Sequence, residues 1–326
     1  MESPTRLVER FRHNGVELVC PACREAALSG RSDGLSCPAC YRGFPVVDGL
    51  PDLRLTPDRF LTMEEDRAKG VRVLETARDE TYRAALESYW AQTPELASAL
   101  QANHLARQLT EAENGRALLE HIRPLTGPLL DLGCGQAGLL EAAGASGLTA
   151  VGLEAAFRWL LVARRRLSKD ALIVCANAEA IPFRTATFPM VVANDLMEHV
   201  TDAEAVIESA AVVCSERLYV ASNNRWSAAP EPHVRLFGVG WLPRRWQRIY
   251  VQAFRDHDYS RVRLPSRREV EALLTAEGFD VRASGSAPVF GEHLTARWRR
   301  LADFASRLGP WAPRFEVDGR RTTPPS

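Results

Sequence analysis

Two short stretches of the sequence hold residues whose types and spacing could do chemistry. The first, LLDLGCGQAG at residues 129–138, joins an apolar run to Asp131 and then to a turn with three glycines. Glycine lacks a Cβ and adopts positive φ readily, so such a turn lets the backbone lie almost against a ligand. The second stretch contains two CxxC pairs, a spacing typical of metal sites. The sequence thus indicates one ligand-binding loop and one metal-binding module.

The metal-binding module contains four of the seven cysteines. Each CxxC turn places two thiolates on one side of a tight loop, and two such turns complete a tetrahedral zinc site. A pair of redox dithiols is the alternative, but a redox CxxC usually opens a helix in a βαβ unit, and these turns lie in no such pattern. We therefore expect a structural zinc ion with four thiolate ligands, Cys20, Cys23, Cys37 and Cys40.

The segment CPAC…CPACYRGFPVVDGLPDL, within residues 18–53, resembles the small zinc-ribbon family that serves as the activating partner of tRNA and protein methyltransferases. The same module also occurs fused to the front of bacterial methyltransferases. The resemblance implies a zinc ribbon over residues 1–55. Residues 56–127 are rich in helix formers with apolar residues three to four apart, which predicts a linker or cap of two or three helices. A protein partner could bind through either segment.

From Leu129 onward, apolar strand-like runs alternate with helical segments. The strand-like runs include LTAVGLE, ALIVCAN, FPMVVAND and RLYVASN. This alternation predicts an α/β fold with a doubly wound, Rossmann-like parallel sheet and helices on both faces. Ligands in such folds bind at the carboxyl ends of the strands.

The glycine loop alone does not identify its ligand. Nicotinamide-binding proteins also have three glycines and an acid about 20 residues further on, and here Glu154 closes the second strand at a similar spacing from Gly135. Asp131, two residues before Gly133, favours a different ligand. A carboxylate there could hold an ammonium group but would repel a pyrophosphate.

The phrases NAEAIPF and NDLMEHV, after the third and fourth strands, resemble class I S-adenosylmethionine-dependent methyltransferases, especially their small-molecule and quinone-type branch. LPSRREVEALLTAEGFDVRAS resembles the helix that precedes the last pair of strands in that family's seven-stranded sheet. The resemblance implies a methyltransferase domain over residues 128–290 and S-adenosylmethionine as cofactor. It places Asp131, Gly133 and Gly135 around the methionine end, Glu154 on the ribose hydroxyls, Asn177 and Ala178 at the adenine edge, and Asp195 at the sulfonium and substrate mouth.

Residues 225–264 follow the fifth strand, where this fold usually inserts substrate-binding elements. The segment holds three tryptophans and His233, which favours an ordered lid over the acceptor. A helical crossover on the sheet edge is the alternative. His199 and His233 are the candidate catalytic bases because imidazole titrates near neutrality, although a lone histidine more often has a structural role.

Charge and hydropathy limit the classes of partner. Formal net charge is zero, yet residues 225–326 hold 18 basic and 11 acidic side chains, a balance that suits an anionic small molecule. Overall neutrality makes nonspecific nucleic-acid binding unfavourable without excluding it. No apolar run reaches the length of a membrane helix, and the N-terminus lacks the order of a signal peptide, so we expect a cytoplasmic protein without membrane contact.

The expected activity is methyl transfer to a small-molecule acceptor, in secondary metabolism for example, by in-line displacement. An RNA methyltransferase is one alternative, although no NPPY-like motif follows the fourth strand. A methyltransferase fold used for intramolecular displacement or ring closure is a second, and a noncatalytic partner protein a third. Residues 291–326 are expected to form a C-terminal helix and a loose tail.

Overall fold

The computed structural model describes residues 2–94, 98–255, 259–260, 262–286 and 309–322. Its helices are α1 Pro4–His13, α2 Met63–Thr76, α3 Tyr82–Ala91, α4 Ser98–Leu109, α5 Glu111–Ile122, α6 Gly138–Ala145, α7 Phe157–Ala163, α8 Ala203–Val213, α9 Arg244–Arg255 and α10 Arg267–Ala276. Its strands are β1 Ser29–Arg31, β2 Gly34–Ser36, β3 Gly43–Val47, β4 Leu50–Pro51, β5 Leu129–Leu132, β6 Ala150–Glu154, β7 Leu172–Cys175, β8 Phe188–Asn194, β9 Cys214–Asn223, β10 Phe279–Ser286 and β11 Arg314–Arg321.

The strands form two sheets. The small one has the order β1-β2-β3-β4 and the large one the order β10-β11-β9-β8-β5-β6-β7. In the large sheet β5, β6 and β7 are parallel, whereas β11 is antiparallel to both its neighbours. The predicted α/β fold with a seven-stranded methyltransferase-type sheet is confirmed, and so is a small cysteine-bearing sheet ahead of it.

The chain divides into two compact units. The first comprises Met1–Val191 with Val212–Ser215, and the second comprises mainly Val192–Ala211 and Glu216–Pro324. The first unit holds the cysteine module, the linker helices and the glycine loop. The second holds most of β9, the antiparallel pair β10–β11 and the segment expected to form a lid. Among the described residues, no helix is long and apolar enough to cross a membrane.

The linker contains four described helices, α2 to α5, where the sequence predicted two or three. Apolar residues continue at helical spacing across Thr110, but α4 ends at Leu109 and α5 begins at Glu111. Helix α2 begins with a capping box in which Thr62 and Glu65 exchange side-chain and backbone hydrogen bonds.

The expectation of a loose tail is wrong for Arg314–Arg321. These residues form β11 and pair along their whole length with β10, from Phe279↔Arg321 to Ser286↔Arg314. Phe315 and Val317 point to the buried side, which is the alternation of a half-buried strand. The C-terminal helix expected after residue 290 falls largely on residues 287–308, which lie outside the described residues.

Two glycines let α5 cross the first turn of α6 at very close range. A Cβ on Gly115 would lie 2.1 Å from the carbonyl oxygen of Gly138, and a Cβ on Gly138 would lie 2.2 Å from that of Glu111. The third glycine of the loop therefore serves helix packing, because no larger residue fits against the backbone of α5.

We predict that Gly115→Ala lowers the free energy of unfolding by about 1–3 kcal/mol, the usual cost of overpacking. Gly144→Ala in α6 is the matched control, because nothing lies within 4 Å of its added Cβ. It should be neutral or stabilise by about 0.5–1 kcal/mol. Urea unfolding of the three proteins measures both effects, and equal stability of Gly115→Ala and Gly144→Ala would contradict the packing argument.

Candidate functional site

The glycine loop makes a tight left-handed turn between β5 and α6. Gly133 has φ 77° and Gly135 φ 48°, and Ala137 also adopts the left-handed region at φ 59°. The amides of Gly133 and Cys134 both donate to the carbonyl of Leu153, at 2.8 and 3.0 Å. These bonds fix the loop against β6, so its backbone is held in a conformation that glycine permits and a Cβ would hinder.

Glu154 ends β6 and is held by the loop. Its Oε2 accepts a hydrogen bond from the amide of Gly135 at 3.1 Å, and its Oε1 accepts one from the amide of Ala156 at 2.9 Å. Burial raises the pKa of Glu154, while these backbone donors oppose the shift. Each oxygen keeps a lone pair, so the oriented carboxylate can still accept hydrogen bonds from a pair of hydroxyls.

Asp131 is a buried carboxyl, 6% exposed, at the start of the loop. Burial, with smaller contributions from Glu111 and Glu154, raises its pKa to about 8. No hydrogen-bond donor to the carboxylate is found among the described residues, so none of them compensates the charge of ionised Asp131 by a hydrogen bond. A cationic ligand would supply one, and this fits the ammonium-binding role expected of Asp131.

Asn177 and Ala178 follow β7, and both are buried. The side-chain oxygen of Asn177 accepts from the amides of Leu55 and Thr56 at 2.8 and 3.1 Å, and its Nδ2 donates to the carbonyl of Thr56 at 3.2 Å. Most of the hydrogen-bonding capacity of this amide therefore holds the linker segment. The expected place of Asn177 and Ala178 beside adenine stays a prediction.

A buried ionic cluster binds the residues that follow Glu154, and no local sequence pattern predicted it. Asp66 of α2 is fully buried, and its carboxylate accepts from the amides of Phe157 and Arg158 at 2.8 and 3.3 Å. Asp66 thus caps the first turn of α7 from another helix. The same carboxylate binds the guanidinium groups of Arg54 and Arg158, each at 2.6 Å.

Two further carboxylates complete the cluster. Asp52 binds Arg54 at 2.7 Å and Arg67 at 2.8 Å, and Asp58 binds Arg158 at 2.5 Å. Burial alone would lower the pKa of Arg158, but the nearby carboxylates of Asp66 and Asp58 raise it above its ordinary value. The guanidiniums are therefore held charged, as a compensated network requires.

The cluster forms hydrogen bonds with the backbone on both sides of Ala156. Arg54 donates to the carbonyl of Ala155 at 2.9 Å, while Asp66 accepts from the next two amides of α7. Tyr82 of α3 also donates to the side chain of Gln136 in the glycine loop at 2.9 Å. The linker therefore positions both the loop and the residues that follow Glu154.

In the second unit, Asp195 follows β8 with φ 55° and its amide donates to the carbonyl of Ala221 at 2.9 Å. Its carboxylate is paired with Arg314, which also donates to the side chain of Asn194. Arg314 is 4% exposed. Sequence reasoning missed it because it lies 119 residues from Asp195, in the expected tail.

The structure brings the two candidate histidines together. The rings of His199 and His233 lie 5.3 Å apart, centroid to centroid, and nearly perpendicular. Nδ1 of His233 lies 2.5 Å from the carboxylate of Glu231, and fully buried Glu198 accepts from Ser222 and Asn223 at 2.6 and 2.7 Å. Asp202, and not the Glu198–His199 pair, accepts from the first amides of α8.

The segment 225–264 has a small core of its own. Val234, Leu236, Val239, Val251 and Tyr259 are buried together, around α9 and the 3-10 turn Val239–Trp241. The segment also exposes large apolar side chains, namely Trp226, Phe237, Trp241, Trp246, Ile249 and Phe254. Its described residues thus form an element with an apolar surface, and its function as a lid stays a prediction.

The four ribbon cysteines have the geometry of a metal site. The sulfur atoms of Cys20 and Cys40, and those of Cys23 and Cys37, lie 3.6 Å apart, and all four lie within 4.8 Å of one another. A tetrahedral zinc ion with bonds of about 2.3 Å places its sulfurs about 3.8 Å apart. All four thiols are free of disulfides. The donor set therefore fits zinc.

The two CxxC turns repeat one backbone motif. The residue after each turn, Arg24 or Tyr41, has positive φ and donates its amide to the carbonyl of the first cysteine of that turn, at 2.9 and 3.0 Å. The side chain of Arg24 then donates to the carbonyls of Ile181 and Phe183, at 2.6 and 2.9 Å. The first turn is thereby bound to the segment that follows β7.

We predict that Asp66→Asn lowers the free energy of unfolding by about 3–5 kcal/mol, because it leaves two buried guanidiniums without part of their counter-charge. Asp79→Asn is the control, since Asp79 is exposed and interacts only locally, as an acceptor from Thr81 and in an exposed ion pair with Arg78. It should change stability by less than about 1 kcal/mol. Urea unfolding measures both, and a small loss in Asp66→Asn would show that the cluster is not essential for folding.

Comparison with known proteins places the chain among methyltransferases. Residues 130–217 match a methyltransferase domain family. The ubiquinone biosynthesis O-methyltransferase of Methylocella silvestris is 30% identical over 189 residues, which cover 56% of this chain and 68% of that protein.

Solved structures with similar folds include two methyltransferases. One is a SAM-dependent methyltransferase from Thermotoga maritima, 15% identical, with a TM-score of 0.48, covering 72% of this chain and 99% of that one. The other is a complex of the Trm112 methyltransferase activator of Haloferax volcanii with a methyltransferase, 14% identical, with a TM-score of 0.49, covering 73% of this chain and 98% of that one.

Proposed function

Since the chain belongs to the class I S-adenosylmethionine-dependent methyltransferases, we propose that it methylates an oxygen atom of a small-molecule acceptor. The observation that carries the acceptor class is the 30% identity to a ubiquinone biosynthesis O-methyltransferase over two thirds of that protein. The apolar surface of residues 225–264 supports an acceptor with an apolar part, and the basic balance of the C-terminal third supports one that also carries negative charge.

We propose that the loop and strand ends of the first unit bind the cofactor. Buried Asp131 compensates the ammonium group, and Glu154 accepts hydrogen bonds from the two ribose hydroxyls. Gly133 and Gly135 allow the methionine end to lie close to the backbone. Ala178 and Asn177 border the adenine, with the Asn177 side chain engaged by the linker. Asp195, held by Arg314, lines the substrate mouth.

Bound S-adenosylmethionine supplies an electrophilic methyl group on a sulfonium. The chain's own contribution is to hold the acceptor oxygen in line with that carbon and to exclude water, since orientation alone removes a large part of such a barrier. A hydroxyl acceptor must also lose its proton. We propose that His199 and His233 promote the loss of this proton.

We propose a domain organisation in which each part has one task. Residues 1–55 form a zinc ribbon, 56–127 a helical linker that positions the cofactor loop, and 128–290 the methyltransferase domain with a lid at 225–264. The ribbon's zinc ion is structural because four thiolates leave no open coordination position. A protein partner that binds the ribbon or the linker is compatible with this arrangement.

Methyl transfer is tested by incubating the protein with S-adenosylmethionine carrying a labelled methyl group and a panel of phenolic, catecholic and carboxylic acceptors. The expected result is label in one acceptor class and its absence with Glu154→Ala. A protein that binds the cofactor but labels no small molecule, and labels total RNA instead, would overturn the proposed acceptor class.

Cofactor binding should release a proton. Because the pKa of Asp131 is about 8 in the free protein, its carboxyl is mostly protonated between pH 6 and 7 and must ionise to meet the ammonium group. We therefore expect affinity for S-adenosylmethionine to rise across this range, by at most about tenfold per pH unit. Calorimetry in two buffers of different ionisation enthalpy measures the proton.

Asp131→Asn is the control for this linkage, and it should bind more weakly with no rise in affinity and no proton release. Loss of binding in Glu154→Ala is expected at every pH. An unchanged pH profile in Asp131→Asn would contradict the assignment of the ammonium group to Asp131.

The ribbon should hold one zinc ion per chain, measured by elemental analysis as the difference in zinc content between the parent and Cys37→Ser. Cys37→Ser should also become less stable, because ligand loss removes binding free energy that the folded ribbon depends on. Cys214→Ser, at a buried cysteine in β9 outside the ribbon, should keep the parental zinc content. Equal zinc content in Cys37→Ser and the parent would contradict the four-thiolate site.

A further inference from the structure

We propose that Glu198, His199 and His233 bind a divalent transition-metal ion, at a site separate from the ribbon zinc. One ligand atom from each of these side chains lies within 4.8 Å of the others. Ligands on neighbouring octahedral positions with bonds of about 2.1 Å lie about 3.0 Å apart, so small side-chain rotations close the set around an ion. All three residues belong to the second unit.

His233 is oriented as a metal ligand by a buried carboxylate. Its Nδ1 lies 2.5 Å from Oε1 of Glu231, and a hydrogen bond between these atoms fixes the orientation of the imidazole ring. Glu231 is itself fixed, since it is 3% exposed and its Oε2 accepts from the amide of Val234 at 2.8 Å. A carboxylate behind a ligating histidine is a common second layer of metal sites.

Glu198 is a fully buried carboxylate held by neutral donors. The hydroxyl of Ser222 donates to one oxygen at 2.6 Å, and the amide of Asn223 donates to the other at 2.7 Å. These bonds fix the carboxylate plane and leave lone pairs on both oxygens. Arg314 lies near enough for its charge to attract that of Glu198, but its hydrogen bonds go to Asp195 and Asn194. A metal ion would bind the carboxylate directly.

The donor set indicates which metals fit and what they can do. Two imidazoles and one carboxylate suit zinc, manganese, iron or cobalt, and they suit magnesium or calcium poorly because those ions prefer oxygen. Three protein ligands leave coordination positions open, as in catalytic and not structural metal sites. Both histidines are at exposed positions, so the open side can receive an external oxygen ligand.

The ligands also lie where an α/β sheet binds substrates. Glu198 and His199 follow the carboxyl end of β8, and the donors to Glu198 lie at the carboxyl end of β9. On the premise of the proposed function, the ion would bind the acceptor oxygen and lower the pKa of its hydroxyl. His199 and His233 would then act as metal ligands and not as bases.

Binding is tested with Mn²⁺ on full-length protein whose ribbon is loaded with zinc. Electron paramagnetic resonance counts free Mn²⁺ directly, and the thiolate site, already filled, does not compete. We expect one Mn²⁺ per chain, displaced by added Zn²⁺. His199→Ala and His233→Ala should each weaken binding at least about tenfold, and Glu231→Gln by about 10–100-fold through loss of the second layer.

His13→Ala, at an exposed histidine of α1, is the matched control and should bind Mn²⁺ as the parent does. Urea unfolding establishes that each variant is folded. No bound Mn²⁺, or binding that survives in both His199→Ala and His233→Ala, overturns the site.

A calorimetric titration with S-adenosylmethionine and a methyl-transfer assay on chelator-treated protein separate this inference from the proposed function. Mn²⁺ binding by a protein that transfers no methyl group leaves the site standing and overturns the function. Methyl transfer that is unaffected by chelation, in a protein that binds no Mn²⁺, overturns the metal site and leaves the proposed function standing.

Discussion

The interaction on which the candidate cofactor site depends is the contact of one buried carboxylate with the start of α7. Asp66 comes from the linker, yet it accepts from the amides of Phe157 and Arg158, immediately after Glu154. A short helix with no side-chain cap of its own needs such a partner, because its first amides are otherwise unsatisfied. The charge of Asp66 is balanced by Arg54 and Arg158. The same carboxylate therefore caps α7 and joins the ionic cluster.

This constraint makes the N-terminal segments part of the site in the first unit. The chain after β4 continues the sheet edge, since the amide of Leu53 donates to the carbonyl of Cys175 at 2.7 Å. Arg24 of the ribbon binds the backbone beyond β7, and Asn177 holds the linker in return. The N-terminal segments thus stabilise the ends of β6 and β7 from within the same chain.

Local patterns in the sequence predicted the features that local patterns determine. The CxxC spacing located the metal cluster, and the strand–helix alternation with the glycine loop located Asp131 and Glu154. Contacts between distant segments left no such signal. Arg314 pairs with Asp195 across 119 residues, and its strand lies in the segment that was expected to be a loose tail. Asp66 lies inside an ordinary polar helix, and only the fold shows that it is buried. Asn177 matched a family position, but its side chain holds the linker.

The most direct test measures whether the ionic cluster around Asp66 holds the side chain of Glu154 in the geometry that we propose binds the cofactor. The measurement is the dissociation constant of S-adenosylmethionine for the parent, Asp66→Asn and Asp79→Asn, by calorimetry at a temperature where all three are folded. We expect at least about tenfold weaker binding for Asp66→Asn, since mispositioning of Glu154 by the loss of its support costs about 1.4 kcal/mol or more. Asp79→Asn should match the parent. A folded Asp66→Asn protein with parental affinity would contradict the account.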